Sequence, residues 1–441
     1  MKNAKGMDRR RFLKTAGVGA AATVGAGGIL ATPASSLAAS TSSTLSAPGV
    51  LTRRSETRVA VVGAGAFGGW TALRLQEMGF QVTVVDLYGP GNSRAPSGDE
   101  TRGIRTSYGG RDLWTSWAHR AIQRWRDFDA QFAPDPDEHV FYNTGDLILR
   151  PDWTDQMTEV QETWERNGIP FEVLTPDEVA YRWPQLRTEG VGAVLYEPGA
   201  GVARARAAIR RVSLRFREAG GQVVTALAEP GRQQSGRLLD LCLQPGDALE
   251  ADLFIFALGP WFPKAFPDLM AQRIRLFMGH VYYFGTPPGD TRFSHPHLPS
   301  YGIPGATGWP AIPPDYRGFR IRTGGRGSDD PDEASRHIPE EYHEQAIELL
   351  GEYFPALHQQ PIVETRACHY ESSVTRNWII DRHPGYENVW LAGGGSAEGF
   401  KFGPVLGDLI AGRAVGQDAH PELSDEFRIR DEDLAPGGQG A

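Results

Sequence analysis

Arg58 to Asp86 constrains the chain more than any other segment. Val59-Ala60-Val61-Val62 is a run of small and branched apolar residues that reads as a buried strand, and it passes directly into Gly63-Ala64-Gly65-Ala66-Phe67-Gly68. The pattern predicts a helix from about Ala66 to Met78 that stops at Gly79, then a second strand, Gln81-Val82-Thr83-Val84-Val85, with Asp86 at its carboxyl end. Gly63 allows the tight turn, Gly65 lets a pyrophosphate approach the backbone, and Gly68 lets helix and strand pack closely. The free N–H groups and positive dipole of the helix start suit phosphates, and Asp86 can accept hydrogen bonds from a ribose hydroxyl. Strand, glycines, helix, strand and acid in this order define a Rossmann-like dinucleotide site. They do not by themselves separate NAD from FAD. No second complete fingerprint occurs, so if this one holds FAD, the chain has no obvious place for a bound NAD(P).

With 441 residues, 40% hydrophobic and 22% charged, the chain can bury a large core in two or three domains, which excludes disorder. Its only cysteines are Cys242 and Cys368, which excludes a disulfide-stapled fold and a Cys-rich zinc module. Histidines at His295, His297, His337 and His343 lack an HExxH or carboxylate pattern at ligand spacing, so no metal site is expected. Lysine occurs only at positions 2, 5, 14, 264 and 401 among 45 cations. In a chain that otherwise uses arginine, Lys264 and Lys401 therefore stand out.

The N-terminus reads Asp8-Arg9-Arg10-Arg11-Phe12-Leu13-Lys14, followed by an uncharged Ala/Gly-rich stretch to Ala39 and small residues around Ser36-Leu37-Ala38. A basic region, a weakly apolar region and a cleavage site make residues 1–38 an export signal. The paired arginines resemble the twin-arginine type, which exports folded proteins to the periplasm or beyond the cell. A stable membrane anchor is disfavoured, because Ala and Gly insert weakly. Residues 39–57, rich in Ser and Thr, read as a linker. The leader holds six of the 45 cations and one of the 54 anions, so the remainder carries 39 cations against 53 anions, a net charge of −14. Such an acidic protein lacks the basic footprint that nucleic acid requires.

Farther along, helical patterns cover 113–128, 153–167, 203–219 and 340–353, and β-rich segments cover 140–149, 222–227, 238–243, 253–257, 280–284 and 318–323. Trp114, Trp117, Trp125 and Phe128 are expected to pack in the core; Cys242 is expected to be buried and inert. Parallel-type strands at both ends with antiparallel-looking ones between predict an α/β nucleotide domain interrupted by a second domain with a largely antiparallel sheet. Near the end, Asn388-Val389-Trp390-Leu391-Ala392 reads as a buried strand, followed by Gly393-Gly394-Gly395, then Glu398-Gly399-Phe400-Lys401-Phe402-Gly403-Pro404 and a helix from Pro404. A second helix start beside a cation, issuing from a glycine-rich turn, suits the electron-rich end of a flavin ring.

Taken with Thr101-Arg102-Gly103-Ile104-Arg105, Tyr108-Gly109, Arg182-Trp183-Pro184, Tyr196-Glu197-Pro198, Ala257-Leu258-Gly259-Pro260-Trp261, Cys368-His369-Tyr370 and Ile379-Ile380-Asp381-Arg382-His383-Pro384, these motifs resemble the monomeric sarcosine oxidase and N-methyltryptophan oxidase family of flavoproteins. The resemblance runs from Val59 to about Gly412. It implies FAD as cofactor, attached covalently through Cys368, with Arg102 beside the flavin and Arg105 and Lys401 holding the carboxylate of a small amino-acid or amine substrate. Two fixed cations suit a carboxylate independently of any family, Arg as a fork and Lys as a point charge. Gly63, Gly65, Ala66, Phe67, Gly68, Asp86, Leu258, Gly259, Trp261, Glu398, Gly399 and Phe400 would line the cofactor, and His369 and Tyr370 would shape the site or orient the amine. The FAD-binding domain would comprise 58–110, 190–262 and 365–420, the substrate domain 111–189 and 263–364, and the tail 421–441.

The implied activity is oxidation of a C–N bond to an imine, which hydrolyses, with oxygen reduced to hydrogen peroxide. Two departures qualify it. Arg320, in Gly318-Phe319-Arg320-Ile321, stands where the family has its oxygen-activating lysine, and Glu398 stands where a histidine usually precedes Gly-Phe-Lys-Phe. A dehydrogenase passing electrons to a quinone or other carrier is therefore the first alternative, and a non-catalytic flavin-binding protein a lesser one.

Overall fold

A computed structural model describes residues 54–328, 330–430 and 434. The proposed signal at 1–38, residues 39–53 of the linker and most of the tail beyond 430 lie outside the described residues. No described helix is long and apolar enough to cross a membrane.

Two large sheets organise the rest. The first has six strands in the order Ile379–Arg382, Val389–Gly393, Leu253–Phe256, Arg58–Val62, Gln81–Asp86 and Gln222–Thr225. All neighbours run parallel except the edge strand Ile379–Arg382. Successive side chains of Arg58–Val62 point to opposite faces. Val59 and Val61 join the core built by helices Ala66–Glu77, Ala205–Glu218 and Gly403–Ala414, while Ala60 and Val62 join a second core with Phe254, Phe256 and Leu391. Both faces are covered, which is why these strands read as continuous apolar runs. Helix Asp112–Phe132 lays Trp114, Trp117, Trp125 and Phe128 into the first core.

The second sheet has eight strands, ordered Ile362–Ser373, Ile274–Phe284, Phe319–Ser328, Ala306–Trp309, Ser300–Ile303, Asp146–Arg150, Ala193–Glu197 and Glu172–Leu174. Its pairs are antiparallel except Ser300–Ile303 against Asp146–Arg150. Met278, Tyr282, Phe319 and Ile321 on one face pack with Leu350 and Tyr353 of helix Glu341–Tyr353. The opposite face carries the site. The α/β architecture with a mainly antiparallel second sheet is the one expected.

Three local expectations need correction. The run 140–149 is two strands in different sheets, Phe141–Tyr142 and Asp146–Arg150, because the chain turns at Gly145, whose φ of 72° favours glycine. The twelve-residue strand Ile362–Ser373 was not anticipated, since its charged outer half masks any apolar alternation. Cys242 is exposed: its strand, Asp240–Gln244, belongs to a three-stranded flap apart from the parallel sheet, with Leu241 turned inward instead.

Candidate active site

The first glycine turn is closed by close packing. A Cβ at Gly63 would lie 2.3 Å from the Ala257 carbonyl oxygen, and one at Gly68 would lie 1.9 Å from that of Gly63. Gly63 has φ 104°, and a Cβ at Gly65 would come 3.2 Å from Ser97 Oγ. The Ala66 N–H, first in the helix, donates to Ser97 Oγ at 3.0 Å. Asp86 accepts from Ala64 N–H at 2.8 Å and from Tyr88 N–H at 2.9 Å, so it braces the turn from the neighbouring strand. Its pKa is raised, because burial outweighs these backbone bonds.

Phe67 joins this turn to the second one. Its ring lies where a Cβ on Gly399 would meet it at 2.7 Å and one on Gly395 at 3.5 Å. The Gly399–Phe402 turn is also fixed from helix Asp112–Phe132: Trp125 stacks on Phe400 with centroids 5.7 Å apart, and its Nε1–H donates to the Lys401 carbonyl at 2.8 Å. Leu258 and Gly259 follow the strand Leu253–Phe256 beside Gly63, and Trp261 Nε1–H donates to Asp332 at 3.0 Å. Lys264 is tied to the same loop through Asp330 and Asp332 at 2.9 and 2.5 Å, so it is a structural cation.

Arg102 lies on the short strand Arg102–Ile104 and faces Cys368 on the long one. Its NH2 donates to Cys368 Sγ at 2.9 Å and to the Pro96 carbonyl at 2.6 Å, while NH1 pairs with Asp99. Asp99, fully buried, also pairs with Arg366 at 3.0 Å and lies 3.9 Å from Arg320. Burial alone would raise its pKa, but Arg102, Arg320 and Arg366 hold it down to about 2. Arg320 stacks over Trp309 at 3.8 Å, and its buried Nε and NH1 have no hydrogen-bond partner among the described residues.

Strand alternation separates the two neighbours of Cys368. Cys368 and Tyr370 share the site-facing side with Tyr283 and Arg320; Tyr370 stacks on Phe277 at 5.5 Å and lies under the Arg322 guanidinium. His369 lies on the opposite side with Ala367 and Met278. Its buried ring nitrogens have no partner there, and burial and Arg336 hold its pKa down to about 4.

Arg105 and Lys401 come together at the far end of the site. Lys401 Nζ sits 4.7 Å above the Tyr108 ring, and neither cation has a hydrogen-bond or ion-pair partner among the described residues. Burial and Arg105 push the Lys401 pKa down to about 8. Glu398 pairs with Arg376 at 3.6 Å. Around the two cations stand acids that sequence reading missed. Glu197 accepts from Thr106 N–H at 3.0 Å and Oγ1–H at 2.8 Å, and burial pushes its pKa up to about 7. Asp146, directly across the strand pair from Glu197, is pushed up to about 6 by burial. Asp99 completes the missed set. Only Glu197, inside a quoted motif, left any signal in the sequence.

These residues fit a bound flavin nucleotide. Two glycine turns meet at Phe67, two helix starts issue from them, and the unpartnered Arg320 nitrogens and the Arg102–Cys368 pair lie on the sheet face opposite. The sequence profile of the FAD dependent oxidoreductase family matches residues 58–413, and the chain belongs to that family. Within it, the chain is 24% identical over 378 residues to a monomeric sarcosine oxidase of Bacillus sp. (strain B-0618), covering 83% of this chain and 94% of that protein. It is 24% identical over 363 residues to the N-methyl-L-tryptophan oxidase of Yersinia pestis (strain Pestoides F), covering 80% and 93%. The fold matches fructosyl amine:oxygen oxidoreductase (amadoriase I) from Aspergillus fumigatus with a TM-score of 0.72 at 20% identity, over 88% and 92% of the two chains. The chain is thus an FAD-dependent oxidoreductase, similar over most of its length to sarcosine and N-methyl-L-tryptophan oxidases.

Proposed function

We propose that the protein oxidises the C–N bond of an N-alkyl or cyclic amino acid to an imine, with oxygen as acceptor and hydrogen peroxide as product. The observation that carries this reading is the pair Arg105 and Lys401: two adjacent cations with no counter-ion bonded to either among the described residues, which suit a substrate carboxylate. FAD supplies two-electron acceptance. Arg105 and Lys401 anchor the acid end, Tyr370 borders the amine, and Arg102 sits where a cation would offset negative charge on the reduced cofactor. Cys368, hydrogen-bonded to Arg102, is the proposed covalent attachment point. The twin-arginine leader supports export to the periplasm or outside the cell after folding, because a cofactor fixed in the cytoplasm must travel in a folded protein.

The decisive experiment is anaerobic mixing of purified protein with N-methyl and cyclic amino acids, followed by a peroxide assay in air. Absence of flavin bleaching by every amine would sink the proposal. A second version, a dehydrogenase serving a quinone or other carrier, is favoured by Arg320, which lacks the transferable proton of a lysine. Slow reoxidation by oxygen with fast reoxidation by a quinone would select it.

A further inference from the structure

We propose that Asp146 determines specificity, by recognising a positively charged group on the substrate in addition to its reacting amine. The favoured substrate would then be a diamino acid, N-alkylated or cyclic at the reacting nitrogen. This inference rests on the function proposed above and names the substrate class of the same site.

Asp146 opens the strand Asp146–Arg150 and stands opposite Glu197 on one neighbour and Ser300 on the other. Directly paired residues of adjacent strands project from the same face. The antiparallel register of Tyr301 with Gly308 brings Ser300 level with Trp309, and the row continues to Arg320 and Tyr283, so Asp146 lies on the side that carries Cys368. Asp146 is only 6% exposed, and its Oδ2 is buried without a hydrogen-bond partner among the described residues. A carboxylate in that condition is costly to bury unless something supplies a donor.

Its neighbours do not supply one. Both Glu197 oxygens are taken by Thr106, and Ser300 Oγ pairs with Thr144 Oγ1 at 2.7 Å. Arg150 NH1 is turned to the carbonyls of Leu149 and Gly302, at 2.7 and 2.9 Å. Thr106 follows Arg105 in sequence, so its two hydrogen bonds to Glu197 hold Arg105 within electrostatic reach of Asp146. The charge balance then points to a ligand. Before substrate enters, Arg105 and Lys401, with a smaller share from Arg150, offset Asp146 through space without bonding to it. A substrate carboxylate that engages Arg105 and Lys401 uses up most of the positive charge that Asp146 depended on. An ammonium on the same substrate restores the balance and fills the empty acceptor, and a charge-assisted bond is the strongest that such a site can make.

The test uses the FAD-loaded holoenzyme and two sets of ligands under anaerobic conditions. One set is Nα-methyl-2,4-diaminobutyrate, Nα-methylornithine and Nα-methyl-lysine; the other is their uncharged alkyl isosteres. Affinity is read by calorimetry and kcat/KM by flavin bleaching. At least one diamino acid is expected to bind ten-fold or more tighter than its isostere, and that preference is expected to fall to within two-fold in Asp146→Asn and Asp146→Ser. Equal affinity for both sets in the wild type overturns the proposal without any variant, as does a preference that survives both substitutions. A binding preference without bleaching by any amine leaves Asp146 as the recognition group and sinks the proposed oxidation. Bleaching with no preference does the reverse.

Discussion

The Arg102 guanidinium donates to Cys368 Sγ at 2.9 Å across the boundary between a short strand and the long strand Ile362–Ser373. The same guanidinium is held by Asp99 and by the Pro96 carbonyl, so its position relative to the sulfur is fixed from two sides. A fixed donor at hydrogen-bond distance holds the sulfur in one position on the site-facing side of the strand.

If the flavin is attached there, acid precipitation of the wild type leaves a yellow pellet, and Cys368→Ala releases all the colour to the supernatant. Arg102→Met keeps the thiol but removes the cation, so its covalent fraction is expected to fall at least several-fold at equal total FAD. In-gel flavin fluorescence measures that fraction. A colourless wild-type pellet ends the covalent assignment.

Asp99 is the common counter-ion of Arg102, Arg320 and Arg366, and its removal leaves three guanidinium groups without it. Breaking a buried ion pair from one side costs about 3–5 kcal/mol, so Asp99→Asn is expected to be strongly destabilised at neutral pH. The acid limb is a separate readout. Because the folded pKa of about 2 lies below the ordinary 3.8, the stabilisation is complete above about pH 4 and is lost as pH falls through 2. Denaturant titrations should show a shallower loss of stability between pH 4 and pH 2 in Asp99→Asn than in the wild type, with Asp332, also held down to about 2, supplying part of the limb that remains.

Lys401 has the opposite sign. Its folded pKa, pushed down from 10.5 to about 8, means that the fold binds this proton less tightly than the unfolded chain does. Its contribution to stability is therefore unfavourable below about pH 8 and improves as pH rises from 8 towards 10.5. Lys401→Met should accordingly be at least as stable as the wild type at pH 7 while losing substrate affinity. If Lys401 holds a substrate carboxylate, the wild-type KM should climb above about pH 8, and Lys401→Arg should remove that rise. A pH-independent KM up to pH 10 would take Lys401 out of the binding role.

Local chemistry made part of this legible in the sequence. Gly63, Gly65, Gly68 and Asp86 lie within one strand-helix-strand unit, so spacing alone carries their meaning. Lys401 stood out because the chain has so few lysines. Asp99, Asp146 and Glu197 gave almost no such signal. What matters about them is which distant residues they meet: Glu197 bonds Thr106 from 91 positions away, and Asp99 meets Arg320 and Arg366 only through the second sheet. Similarly, His369 adjoins Cys368 in sequence, but a strand places consecutive side chains on opposite faces.

Gly68 offers the most direct test of the cofactor turn. A methyl group there would lie 1.9 Å from the Gly63 carbonyl oxygen and 3.2 Å from the Ala257 Cβ, neither of which is the end of a flexible side chain that could yield. Gly68→Ala is expected to lose most of its FAD, measured by absorbance per mole of purified protein. Gly69→Ala is the control, since its added methyl would stay 3.5 Å or more from its neighbours. Full FAD loading in Gly68→Ala would show that the turn adjusts and that close packing does not set cofactor binding.

Arg320 bears on the electron acceptor. Its guanidinium carbon lies 3.8 Å over the Trp309 ring, it is 2% exposed, and two of its nitrogens have no partner among the described residues, so the cation is held fixed with donors to spare. Arginine stays charged and does not give up a proton, whereas a buried lysine can. Replacing it by lysine restores a point charge with a movable proton at the cost of the stacked plane. If the natural acceptor is a quinone or other carrier, reduced wild-type enzyme reacts slowly with oxygen in stopped-flow mixing, and Arg320→Lys is expected to react at least ten-fold faster. If oxygen is the acceptor, the wild type is already fast and Arg320→Met is the variant that slows, because the fixed positive charge then stabilises the anionic oxygen species as it forms. The two outcomes move different variants in opposite directions, so a single series of three proteins separates oxidase from dehydrogenase.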